Sequence, residues 1–279
     1  MALVASLSGM VRGQSEGFRN VIKRAFLKKQ VARSKHDRRT TPFLRRLIFS
    51  VVDREARRRY AANYCMRCFP CSAAIAMLLK QIGIQSGIVA GAFCIAEVFD
   101  DPRHLSWGGF WDRDHHVWVM TEFGEVIDLS VSQLHRHPRS ARDDAIATPA
   151  IWWSDSGIMP PIFRYLPDSV VHAVADPVEA IDLDEFKIMV GLEFDRVLAT
   201  SEVADIAFGS ILDCMETLQA IKDAGDAWAT KAFVIQRCGL PFPRWIVERE
   251  TELMTCYHLN QPAPSRLAAL GTLLQSGKA

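Results

Sequence analysis

The amino-acid sequence predicts an α+β fold: one helix opening near Cys68 packs on a small antiparallel sheet, with further helices framing that core at both ends. Three observations lead there. The compact apolar stretch 71–82 is closed by Gly83, the residue type that most readily takes the left-handed turn after a helix. Residues 87–99, rich in Ile, Val, Ala and Phe, read as a buried strand, and 116–122, Gly124 and 125–129 read as a hairpin. From about residue 182 the apolar spacing becomes helical again.

Taken in order, Phe18, Val21, Ile22, Ala25 and Phe26 share one helical face, with Arg19, Lys23, Arg24, Lys28 and Lys29 around them. A second amphipathic helix starts after Thr41, which can cap it, with Pro42 at its first position. Its apolar pairs are Phe43/Leu44, Leu47/Ile48 and Val51/Val52, and it ends in Arg57, Arg58 and Arg59. Residues 100–114, with Pro102, Trp107, Gly108, Gly109 and Trp111, read as a loop. Prolines, charges and the pair Trp152–Trp153 make 135–180 irregular with short elements. Helices follow over 184–199, 202–223 and 226–238, up to a break at 239–243, and the region to 258 is mostly helical. The tail after Gln261 is loosely held, with room for a short helix over 266–274. The organisation is then a basic helical arm (1–59), a core (60–180) and a mainly helical C-terminal region (181–279).

The chain has 279 residues, 49% hydrophobic and 23% charged, which excludes general disorder. It has no apolar run long enough for a membrane-spanning helix. The net charge of +1 hides an asymmetry: residues 1–59 carry 16 Lys/Arg against 4 Asp/Glu (+12), and 60–279 carry 17 against 28 (−11). The arm therefore either braces the acidic body or serves as a handle for an acidic partner. The apolar faces of its helices favour the brace, and no nucleic-acid motif is present, which weighs against nucleic acid as partner. Seven cysteines, an odd number in a chain of this size, suit a reducing, cytoplasmic setting, and residues 1–10 make a poor secretory signal.

A thiol nucleophile needs a site that favours thiolate, a base within reach and a group that orients the base. The segment Cys68-Phe-Pro-Cys71-Ser72 puts two thiols at a helix start, where unpaired N–H groups favour negative charge. His116 begins the first hairpin strand as candidate base, and Asp128 on the returning arm can fix its tautomer. Cys65, Cys68 and Cys71 also invite a zinc reading, with Cys94, His104, His115 or His116 as fourth ligand. No second Cys-x-x-Cys pair follows, so neither a metal nor a cofactor is expected. His115 reads as the outward neighbour of His116, Trp118 as core, and Trp107 and Trp111 as walls of a cleft.

These residues resemble the transglutaminase-like branch of the papain-like cysteine enzymes. In that pattern a small residue follows the nucleophile by four positions, a basic one by twelve and a glycine by fifteen; from Cys68 these are Ser72, Lys80 and Gly83. The family's His-x-Trp strand is similar to His116-Val117-Trp118, and its Asp to Asp128. Counting from Cys71 places Ile75 at plus four and no glycine at plus fifteen, so the spacing favours Cys68 as the nucleophile. The segment Cys68–Ser72 is also similar to the nucleophile segment of lasso-peptide leader peptidases. The likeness spans about residues 60–130. It departs at Arg67, where many relatives have glycine, at the missing proline after Gly83, and at 100–114, which has the character of an insertion. It implies a papain-like core and acyl transfer to a peptide or protein substrate, with the Cys68 N–H as oxyanion donor and Asn63 or Tyr64 as second donors. Hydrolysis by a peptidase or amidase is one outcome. Transfer to an amine, as in a transglutaminase or an arylamine N-acetyltransferase, is another, although the latter family's Arg-Gly-Gly is replaced here by 62–67 (ANYCMR).

Overall fold

The computed structural model describes residues 24–266 except 102–103, 113, 149–152, 156–161, 172–176, 201, 209–221 and 224. The apolar positions expected at 18–22, Trp152, the far part of the 202–223 helix and most of the 266–274 segment lie outside the described residues. Helix α1 covers residues 24–37 and α2 covers Pro42–Tyr60. Thr41 Oγ1 accepts the Leu44 N–H (3.5 Å) and Pro42 opens the helix, so a side-chain cap and a fixed φ start α2 together. Its apolar pairs all face inward, and Phe43, Leu44, Leu47, Ile48, Val51 and Val52 belong to the same core as the next helix and the sheet.

The basic side chains of α2 meet the acidic body. Arg45 Nη2 lies 2.6 Å from Glu125 Oε1, with both side chains almost fully buried. Thr40 donates to the same oxygen from its N–H (3.1 Å) and its hydroxyl (2.8 Å). Arg54 pairs with Glu193 and Glu202, and Arg59 bridges Asp182 and Glu185, each at 2.7 Å. These contacts are the brace expected from the charge pattern.

A 3₁₀ turn, Ala61–Met66, leads into α3, Cys68–Gln81. Gly83 (φ +85°) ends it: its N–H donates to Lys80 O (3.0 Å) and that of Ile84 to Leu79 O (2.9 Å), closing the last turn on the left-handed residue. The sheet is built on β1, Ser86–Val98. One edge of β1 pairs with β6 (Phe163–Val170) over 89–95; the other pairs first with β3 (His116–Thr121) over 86–91 and then with β2 (Leu105–Phe110) over 93–98. From β3 the sheet continues through β4 (Glu125–Ile127) to β5 (Trp153–Asp155), antiparallel throughout. Gly91 permits the crowded centre, since a Cβ there would stand 2.2 Å from Leu166 O and 2.6 Å from the Trp118 ring.

Two expectations need correction. Residues 100–114 are not merely a loop: 105–110 form β2, whose Gly108 and Gly109 conceal the strand because they carry no alternating side chains. Gly109 (φ +128°) is required, as a Cβ would meet Phe93 O at 2.3 Å. The irregular 135–180 region contains β6, eight residues long and central to the sheet. Helices α4 (Pro177–Ala199), α5 (Glu202–Phe208), α6 (Ala227–Cys238) and α7 (Arg244–His258) frame the core. Helix α4 starts seven residues before the expected 184, with Pro177 at its start. Trp228 of α6 donates from Nε1 to Ala96 O (3.0 Å), and Arg249 of α7 pairs with Asp168 of β6 (3.1 Å). Among the described residues no helix is long and apolar enough to cross a membrane.

Candidate active site

Cys68 is the first residue of α3. The helical ladder begins with the Cys71 N–H on Arg67 O (3.2 Å), so the N–H groups of Cys68 and Phe69 precede it and lie at the positive end of the helix. Pro70, lacking an N–H, is tolerated in this first turn. One turn on, the Ser72 hydroxyl donates to Val117 O (3.2 Å), fastening α3 to the strand residue that follows His116. The small residue at plus four is therefore the contact that sets helix against strand. The glycine at plus fifteen marks the end of a 14-residue helix.

His116, at the start of β3, is 4% exposed. Its Nε2 lies 2.6 Å from Asp128 Oδ2. Asp128 follows β4 and accepts further hydrogen bonds from the Tyr165 hydroxyl (2.8 Å), the Ser130 N–H (3.1 Å) and hydroxyl (2.8 Å), and the Val131 N–H (3.3 Å). Burial alone would raise the Asp128 pKa, but the His116 charge and these donors hold it below the ordinary carboxylate value. Burial likewise opposes the imidazolium. The Asp128 charge and hydrogen bond, and then the Cys68 side chain, outweigh it and raise His116 to about 10. Phe110 stacks on the imidazole (5.4 Å between centroids, 10° between planes) and Phe93 lies 5.0 Å away.

With Nε2 occupied by Asp128, Nδ1 is the nitrogen left for the thiol. It is buried and makes no hydrogen bond among the described residues, while Cys68 is among the groups that favour the charged ring. Cys71, by contrast, points into the core at 1% exposure, and burial raises its pKa far above the ordinary thiol value. Cys65, Cys68, Cys71, Cys94 and Cys256 are all free thiols. Among the described residues no group of three His, Cys, Asp or Glu side chains is arranged to hold a metal ion.

The structure thus brings Cys68, His116 and Asp128 together. The Tyr64 hydroxyl donates to Asp53 (2.9 Å), and its carbonyl accepts the Arg67 N–H. Asn63 is exposed. Trp118 is core, and His115 is part-buried beside His116. Sequence reasoning missed Tyr165, which supports Asp128, and Phe110, which stacks on His116. Both sit on the strands that were not anticipated, and a Phe-x-Tyr alternation at 163–165 was the only local signal. Comparison of the chain with protein-family models, curated proteins and solved structures returns no match.

Proposed function

We propose that this chain is a cysteine-dependent acyl-transfer enzyme, a peptidase or amidase acting through Cys68, His116 and Asp128. The observation that carries the reading is the buried His116–Asp128 pair (2.6 Å) beside a thiol at the first residue of a helix. The Cys68 thiolate adds to the amide carbonyl, and the Cys68 and Phe69 N–H groups receive the oxyanion. The imidazolium passes its proton to the departing amine, leaving a thioester on Cys68. Water then attacks the thioester while His116 accepts its proton, and collapse of the intermediate releases the acid and restores the Cys68 thiolate beside the imidazolium. Asp128, held by Tyr165, Ser130 and Val131, keeps Nε2 occupied so that Nδ1 serves the thiol. The resemblance to transglutaminase-like enzymes, and to leader peptidases in the nucleophile segment, supports the same three residues and hydrolysis of a peptide or protein substrate. Free thiols at Cys65, Cys68, Cys71, Cys94 and Cys256 suit a reducing, cytoplasmic setting.

Brief alkylation with iodoacetamide followed by peptide mass spectrometry tests the reading. Cys68 is expected to react at least about tenfold faster than the other six thiols, and His116→Ala is expected to abolish that advantage. Equal, slow labelling would overturn the proposal. Incubation of substrate peptides in isotopically labelled water separates hydrolysis, which incorporates the label, from transfer to an amine.

A further inference from the structure

We infer that the cavity on the β2 side of His116 is a subsite for a basic side chain, arginine or lysine, of the substrate. The inference rests on the acyl-transfer reading and adds its substrate class. The cavity, about 370 Å³, is lined by Gly108 and Gly109, by Trp107 and Trp111, and by the acidic residues Glu97, Asp112 and Asp114. It adjoins the chemistry on two sides. Phe110, the next residue of β2, is the ring stacked on His116. Trp245 of α7 packs with Cys68 on the cluster Ala90, Val117 and Val171, and with Trp107 and Trp111 on the cluster Ala92, Cys94, Leu166 and Ile246.

Its chemistry calls for a cation. Glu97 Oε2 accepts the Ser106 hydroxyl (2.9 Å), whereas Oε1 is buried with no hydrogen-bond partner among the described residues. A buried carboxylate oxygen left unpaired is costly, and a donor carried in by substrate removes the cost. Gly108 leaves room for that carboxylate: a Cβ there would stand 2.8 Å from Glu97 Cδ. Indole rings attract ammonium and guanidinium groups, and Trp107 and Trp111 both line the space. The cavity already shows how it holds such a group. Arg139, also in its lining, pairs with Asp114 and rests over Phe110, with Cζ 5.8 Å from the ring centre. Among the described lining residues Glu97, Asp112 and Asp114 stand against Arg139, a negative balance that suits a second cation.

The test uses tripeptidyl chloromethyl ketones, in which the thiolate displaces chloride and forms a thioether. Arg, Lys, norleucine or Glu is placed in turn at each position, and Cys68 modification is followed by mass spectrometry. At one position Arg and Lys are expected to label Cys68 roughly tenfold faster than norleucine, with Glu slowest. Glu97→Gln is expected to bring the Arg-to-norleucine ratio to within about twofold, and Trp111→Leu to lower it about threefold. Each variant's own norleucine rate is the reference, so a general loss of reactivity cancels. If norleucine labels Cys68 as fast as Arg and Lys at every position, the subsite is refuted and the acyl-transfer reading stands. If neither iodoacetamide nor any ketone singles out Cys68, both fall.

Discussion

Replacing Asp128 by Asn interrogates the proposed centre most directly. The amide has nearly the shape of the carboxylate and can still accept from Ser130 and Val131, but it presents no charge to His116. In the parent chain, burial disfavours the imidazolium; Asp128 first, and Cys68 second, reverse this and lift the pKa from an ordinary 6.5 to about 10. That difference corresponds to on the order of 5 kcal/mol favouring the charged ring. Without the carboxylate, burial prevails and His116 is expected to titrate below 6.5. Because the folded pKa is raised, the protonated ring contributes stability fully below pH 6.5, and the contribution is lost as pH rises towards 10. The parent should therefore lose thermal stability across that window, and Asp128→Asn should show a flatter profile there. Histidine NMR titration measures the pKa, and melting curves from pH 6 to 10 measure the linkage. Turnover is expected to drop by roughly three to four orders of magnitude, as when an orienting carboxylate leaves its imidazole in the wrong tautomer. A parent His116 titrating near 6.5, or a variant with unchanged titration and unchanged Cys68 alkylation, would refute the reasoning.

Other perturbations separate scaffold from chemistry. Arg45→Met strands the buried Glu125 charge and is expected to cost about 3–5 kcal/mol, read as a fall in melting temperature of roughly 10 °C; an unchanged melt would mean that the pair contributes nothing. Gly91→Ala forces a Cβ to within 2.2 Å of Leu166 O and is expected to give aggregated or unfolded protein, checked by circular dichroism of the purified chain. Tyr165→Phe removes one charge-assisted hydrogen bond from Asp128 and is expected to destabilise by about 1.5–3 kcal/mol, with chemical denaturation as the measure. Cys71→Ala trims a core thiol at a cost of roughly 1 kcal/mol and is expected to leave fast alkylation at Cys68 intact, which would fail if Cys71 were the nucleophile.

What could be read from the chain follows from which signals are local. Helix α3 is marked at both ends by residues acting on their own neighbours: the first-turn Pro70 at one, Gly83 with its left-handed turn at the other. Helix α2 is likewise announced by Thr41 and Pro42, and β1 and β3 by their apolar composition. The three candidate residues Cys68, His116 and Asp128 fall at the start of α3, the start of β3 and just after β4, which is why their convergence could be anticipated. Strands β2 and β6 depend instead on partners far along the chain. In β6, Pro167 and Asp168 read as breakers, yet the register shifts between Ala90 and Gly91, and that irregularity accommodates a proline without an N–H. Tyr165 and Phe110 were invisible for the same reason: their importance lies in a fold that the local pattern does not encode.

The pairing of β1 also bears on how the chain can be shortened. One strand serves β2, β3 and β6, and its edge over 89–95 is covered only when residues 163–170 are in place. A chain ending before Phe163 would keep Cys68, His116 and Asp128 but expose a row of apolar residues with unanswered backbone groups. Such an edge is a template for strand addition by other molecules. Truncation before Phe163 would therefore be expected to produce self-association rather than a smaller catalytic unit.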